Sequence, residues 1–220
     1  MLSGMSTEIS VRGSFSSFHA PERGTAHVTV AYQGPQMEPV YDRVARDLEA
    51  VKTSISPLRD NGSVTWWSAN QLRTRSERPW NRDGKQLPLV HHAAVDLEVK
   101  FRDFAELSRW VSQGISNVEG FRLERVKWSL TDKLRAKLIV KARTYAVRDA
   151  VTRAQQYADA LGLGKVRPLE VVDQDGQSYG GVAAPMRTGS ANDGAEVVLE
   201  PNHIELSATV TARFVAHEVQ

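Results

Sequence analysis

The sequence predicts an α+β protein: a mixed, mainly antiparallel sheet of hairpins, packed by one long helix in the C-terminal half and two shorter helices. Three observations predict it. Stretches in which apolar and polar residues alternate come in consecutive pairs, as antiparallel strands do. Near residues 37–56, 104–115 and 131–164 the apolar spacing changes to the three- and four-residue steps of a helix. The resulting order, ββα ββα β α β loop β, has no regular βαβ repeat, which argues against a doubly wound parallel sheet. At 220 residues the chain can bury a large core without crosslinks, and it reads as a single domain over 1–220 with 1–62 and 63–220 as candidate lobes.

The first segment, Glu8 to Phe18, alternates through Ile9, Val11 and Phe15, and Pro21-Glu22-Arg23-Gly24 breaks it. Ala26 to Tyr32 resumes the alternation, so an antiparallel hairpin is the economical reading. Val40, Val44, Leu48, Val51 and Ile55 then share one face of a helix from Met37 to Ser56, with Pro57 and Asn61-Gly62 as its expected stop. Two long strand-like segments follow, Val64 to Glu77 and Leu87 to Arg102, around the turn signal Asn81-Arg82-Asp83-Gly84. Asp103 is a good cap for a helix over 104–115 whose Phe104, Leu107, Trp110 and Val111 turn inward. In the strand from Phe121 to Leu130, Val126, Trp128 and Leu130 share a face from which Leu123 is displaced.

The longest element lies between Thr131, a capping residue, and Gly162 and Gly164, which suit a left-handed exit. Leu134, Leu138, Ala142, Tyr145, Ala146, Ala150, Ala154, Tyr157, Ala158 and Leu161 form its stripe. So much alanine lets a sheet approach closely, and a helix of about 45 Å lying across a sheet is expected. Val166 to Val172 reads as a short strand, 173–202 as a long flexible loop, and Ile204 to Val215 as a strand with a strict period of two.

No cysteine is present, which excludes thiol catalysis, a disulfide scaffold and cysteine-ligated zinc. No window is apolar enough for a membrane span and no leader is evident, so a cytoplasmic protein is expected, with the periplasm or cell envelope as the alternative if a leader was removed. Net charge is +2, yet nine basic residues face three acidic ones from Asp132 to Arg167, and two face eight from Pro168 onward. These opposite halves are expected to face each other, within the chain or between subunits. A basic helix for nucleic acid is the weaker reading, because few aromatics are interleaved for base stacking.

Gly176-Gln177-Ser178-Tyr179-Gly180 matches the G-x-S-x-G of a nucleophile elbow, with Asp193 and His203 following in the order of an α/β-hydrolase. The stretch after Ser178 does not make the helix that such an elbow requires, so a serine hydrolase using Ser178 and His203 is only an alternative. Gly162-Leu163-Gly164-Lys165 follows a helix instead of preceding one, and reads as a cap rather than a phosphate loop. His91 and His92 are adjacent on a strand and point to opposite faces, so they do not share a metal. No cofactor is implied. Trp66 and Trp67 also point to opposite faces of one strand, and Trp80 sits near a hairpin tip. Together with Lys137, Lys141 and Arg148 on the long helix, they are the candidate interaction surface.

Four segments, in order, resemble the SIMPL-domain family. They are the opening strand with Ile9, Val11, Gly13, Pro21 and Glu22; the strand and helix with Val99, Asp103 and Leu107; the long helix with Leu130, Asp132, Ala142, Ala146, Ala150, Ala154, Ala158, Leu161, Gly162, Gly164 and Val166; and the closing strand IELSATVTARFVA. The resemblance spans nearly the whole chain. It implies an α+β fold known from bacterial members often exported to the envelope, assembly into oligomers in some members, and, from an animal member named for association with a pelle-like kinase, binding to other proteins. It brings no catalytic residues. The expectation is therefore a non-enzymatic protein acting through self-association, as a homo-oligomer, or through a protein partner.

Overall fold

The structure, a computed structural model, describes residues 6–80, 86–174 and 199–218. Eight strands and three helices follow one another there: β1 (Ser6–His19), β2 (Arg23–Gly34), α1 (Met37–Asp60), β3 (Val64–Ala69), β4 (Arg73–Glu77), β5 (Val90–Phe101), α2 (Phe104–Asn117), β6 (Phe121–Ser129), α3 (Asp132–Ala160), β7 (Arg167–Asp173) and β8 (Ile204–His217). The fold is α+β, and every strand pairing is antiparallel. The strands form two sheets, one of three strands and one of five, the latter with four strands in line and β4 added beside β5. The chain gathers into two compact units, divided after residues 20 and 129 rather than near 62.

The first unit holds residues 6–20, 130–174 and 203–218. Its sheet runs β1-β8-β7, and β1 pairs with β8 along its full length, from Ser6 opposite His217 to His19 opposite Ile204. This corrects the expected β1–β2 hairpin. Alternation announces a strand without naming its partner, and β8 offers β1 an equal length and a matching inward set, with Ile9 opposite Phe214 and Val11 opposite Ala212. Helix α3 lies on this inward face, capped by the Thr131 hydroxyl accepting from the Leu134 amide at 3.3 Å. Only Ala142, Ala146, Ala150, Ala154 and Ala158 of the expected stripe are buried; Tyr145, Tyr157 and Leu161 are exposed. The reason is steric. At Gly13 an added Cβ would stand 2.1 Å from the Ala146 carbonyl oxygen and 2.7 Å from the Ala150 amide, so the helix rides directly on the strand and only methyl groups fit between them. Gly162 ends the helix with φ +69.

The second unit holds residues 21–80, 86–129 and 199–202. Its sheet runs β3-β5-β2-β6, and one face buries Ala26, Val28 and Val30 of β2 with Val95, Leu97, Val99 and Phe101 of β5. Helices α1 and α2 cover that face through Val40, Val44, Val51, Ile55, Leu107, Trp110 and Val111. Asp103 caps α2 by accepting from the Ala105 and Glu106 amides, each at 3.0 Å. Trp110 meets Phe121 edge-on at 5.4 Å, and its Nε1 donates to the Ser54 hydroxyl at 2.9 Å.

Three boundaries differ from expectation. Pro57 lies inside α1, which continues to Asp60: the missing amide forgoes one bond, while buried Ile55 and partly buried Leu58 hold the last turn to the core. The segment 64–77 is two strands: the Asn70 amide still bonds the Asp96 carbonyl at 2.8 Å in the register of β3, and across Gln71-Leu72 the pairing with β5 slips by one residue before β4 resumes with Arg73 opposite Ala94. The β2–β6 register shifts between His27 and Val28, which accounts for the displaced Leu123. The Asn81–Gly84 turn and most of the 173–202 loop lie outside the described residues.

Candidate interaction surfaces

In the second unit, β3 sorts its two indoles by strand alternation. Trp67 stands opposite Val99 and packs against the core, whereas Trp66 stands opposite Lys100 on the other face and is 46% exposed. Trp67 is thus partly buried, with its inner side against the core. The Lys100 Nζ sits 5.5 Å from the centroid of the Trp66 ring, within cation–π range. Trp80, following β4, is 81% exposed.

The sheet face that carries Trp66 is polar and largely paired. Thr29 donates to Asp96 at 2.9 Å, and Asp96 also binds Arg73. His27 Nδ1 lies 3.4 Å from Glu98, and its buried Nε2 has no hydrogen-bond partner among the described residues. Burial lowers the His27 pKa below the ordinary value; Glu98 opposes this, while Arg125 and Lys127 add to it. His91 meets Ser76 at 2.7 Å and His92 meets Glu77 at 3.2 Å, so the adjacent histidines serve different partners. Among the described residues no three His, Cys, Asp or Glu side chains are grouped to hold a metal ion. A shallow groove lined by Gln33, Gly34, Pro35, Pro79 and Leu87 to Val90 has no titratable side chain in its walls.

On the opposite face of that sheet, within the core, sequence reasoning missed a carboxylate. Asp47 of α1 is 7% exposed; its Oδ2 accepts from the Tyr32 hydroxyl at 2.6 Å and from the Gly120 amide at 3.4 Å, and Arg46 flanks its Oδ1 at 3.3 Å. Its signal was its place in the helical period, between Val44 and Val51 on the buried face.

In the first unit, α3 presents a basic and aromatic flank to the β1 edge. Phe15 of β1 stacks on Tyr145 at 4.7 Å between centroids, and Lys141 and Arg148 stand 5.9 and 5.6 Å from the Tyr145 ring. One turn along, Asp149 accepts from the Ser14 amide at 2.9 Å and pairs with Arg153, and these contacts hold its carboxyl below the usual range. Lys137 is exposed and pairs with no described carboxylate. The six candidate residues thus fall on separate units, three on each. Among the described residues, the expected meeting of basic helix and acidic tail is seen where Arg143 lies 3.3 Å from Asp173. Arg213 is a second link inside the unit, binding Glu8 at 2.7 Å and Glu170 at 3.2 Å.

His203 is exposed just before β8, and Ser178 and Asp193 lie outside the described residues. No described helix is long and apolar enough to cross a membrane. The family model SIMPL, described as protein of unknown function (DUF541), matches residues 9–214. No curated protein matches the chain at a significant level.

Proposed function

Since this chain belongs to the SIMPL family, whose function is unknown, we propose that it is a non-enzymatic protein that acts through its surfaces and does so first by self-association. The observation that carries the reading is the outward placement of large aromatic side chains: Trp66 and Trp80 are 46% and 81% exposed, while Trp67 next to Trp66 is partly buried against the core. Tryptophan is enriched at the centres of protein interfaces, where a ring gains most when it leaves water. The test is the native mass of the full chain by sedimentation over a wide concentration range. A discrete oligomer is expected, with Trp66→Ser combined with Trp80→Ser lowering its mass. A monomer at every concentration would overturn the proposal. A lower mass at high salt would show that charge pairing crosses subunits.

A further inference from the structure

Strand β7 is an open edge in the first unit: it pairs with β8 on one side and, among the described residues, with nothing on the other. All seven of its residues are exposed, including Leu169, Val171 and Val172. An edge with unpaired amides and carbonyls is a template for another strand, and proteins commonly blunt such edges with proline, bulges or unpaired charge. Here the blunting is confined to the start of the strand, where Pro168 and the register shift between Pro168 and Glu170 lie. In the remainder each carboxylate has a cation beside it, Arg213 at 3.2 Å from Glu170 and Arg143 at 3.3 Å from Asp173.

The ladder fixes which groups point outward. The Gln174 amide donates inward to the Thr209 carbonyl at 3.1 Å, so by the two-residue alternation Val172 also faces β8, and Val171 and Asp173 turn their amides and carbonyls away from it. We propose that a second copy of this chain occupies this edge, β7 against β7, antiparallel about a two-fold axis through Val172. That register places Val171 opposite the partner's Asp173 and the reverse, so each of these two pairs exchanges both backbone bonds. It sets Val172 against its own copy at the closely spaced position and Glu170 opposite the partner's Gln174, a carboxylate facing an amide donor. The segment is complementary to itself, as an isologous interface requires, and the product is a continuous six-stranded sheet. This inference rests on the self-association reading and names one joint for it.

The absence of cysteine makes the test direct. In the full chain, Val172→Cys is expected to form a disulfide-linked dimer at least about tenfold faster than Ser10→Cys on the far edge strand, because the two-fold holds the thiols at high effective concentration. Val171→Pro removes one outward amide and no inward one; it is expected to halve the native mass at unchanged circular dichroism. The disulfide measurement stands even if the proline variant does not fold. Equal crosslinking rates for the two cysteine variants, or a folded Val171→Pro with unchanged mass, overturns the β7 joint. If the wild type is then still an oligomer, self-association survives through another surface; a monomeric wild type removes both proposals.

Discussion

Asp47 stands where the period of α1 asks for an apolar side chain, and its cost is offset by the Tyr32 hydroxyl at 2.6 Å and the Gly120 amide at 3.4 Å. The pair leaves its mark on the phenol. Burial first, then the hydrogen bond to Asp47 and its charge, push the Tyr32 pKa up to about 12. An unfolded tyrosine ionises near pH 10, so the folded state gains from this group below about pH 10 and loses the gain as pH rises toward 12. Tyr32→Phe should therefore remove part of the alkaline slope of stability, seen as urea midpoints that fall less steeply between those limits than in the wild type. At neutral pH the same variant should lose about 1.5–3 kcal/mol, the usual worth of a hydrogen bond to a charged group. Residue-level reading of the sequence separated Trp66 from Trp67 correctly in principle, since alternation forces opposite faces. It had no means to see Asp47 and Tyr32 meet, because that contact joins helix and sheet across the core.

The join between α3 and its sheet depends on the size of single atoms. Five alanines and Gly13 bring helix backbone against strand backbone, and a methyl at residue 13 would fall within 2.8 Å of Ala150 Cβ as well as nearer the helix backbone. Gly13→Ala should destabilise the chain by roughly 3 kcal/mol, at the upper end for overpacking, because neither backbone can yield as a flexible side chain would. Thermal unfolding monitored by circular dichroism would show it as a lowered midpoint; an unchanged midpoint would mean that the helix shifts freely. The existence and bounds of α3, β8 and α2 were readable because long runs of one period and good caps agree. Strand partners were not: β1 and β2 adjoin in sequence yet belong to different sheets, and only pairing tells which β-strand is met. Pro57 misled for a related reason, since a breaker acts locally while the packing that overrides it is tertiary.

The two units each have a core of their own, one built on Phe101, Ile55 and Leu97, the other on Phe214 and the alanines of α3. Hydrogen exchange on Gly13→Ala should therefore show protection falling in β1, β8 and α3 while amides of β2 and β5 keep theirs; uniform loss would mean one cooperative block. The family resemblance was legible because its landmarks are spread in order along the chain, and the α+β class followed from the alternating and helical periods. The antiparallel clasp between β1 and β8 has a consequence for how the chain is made. Its two halves lie far apart in sequence, β1 at Ser6–His19 and β8 at Ile204–His217, so a nascent chain holds β1 and the alanine face of α3 without their mate until β8 is made. Residues 21–129, by contrast, emerge as one run. Closing such a distant loop comes late, and until then the waiting strand is the segment most in need of a chaperone on the ribosome.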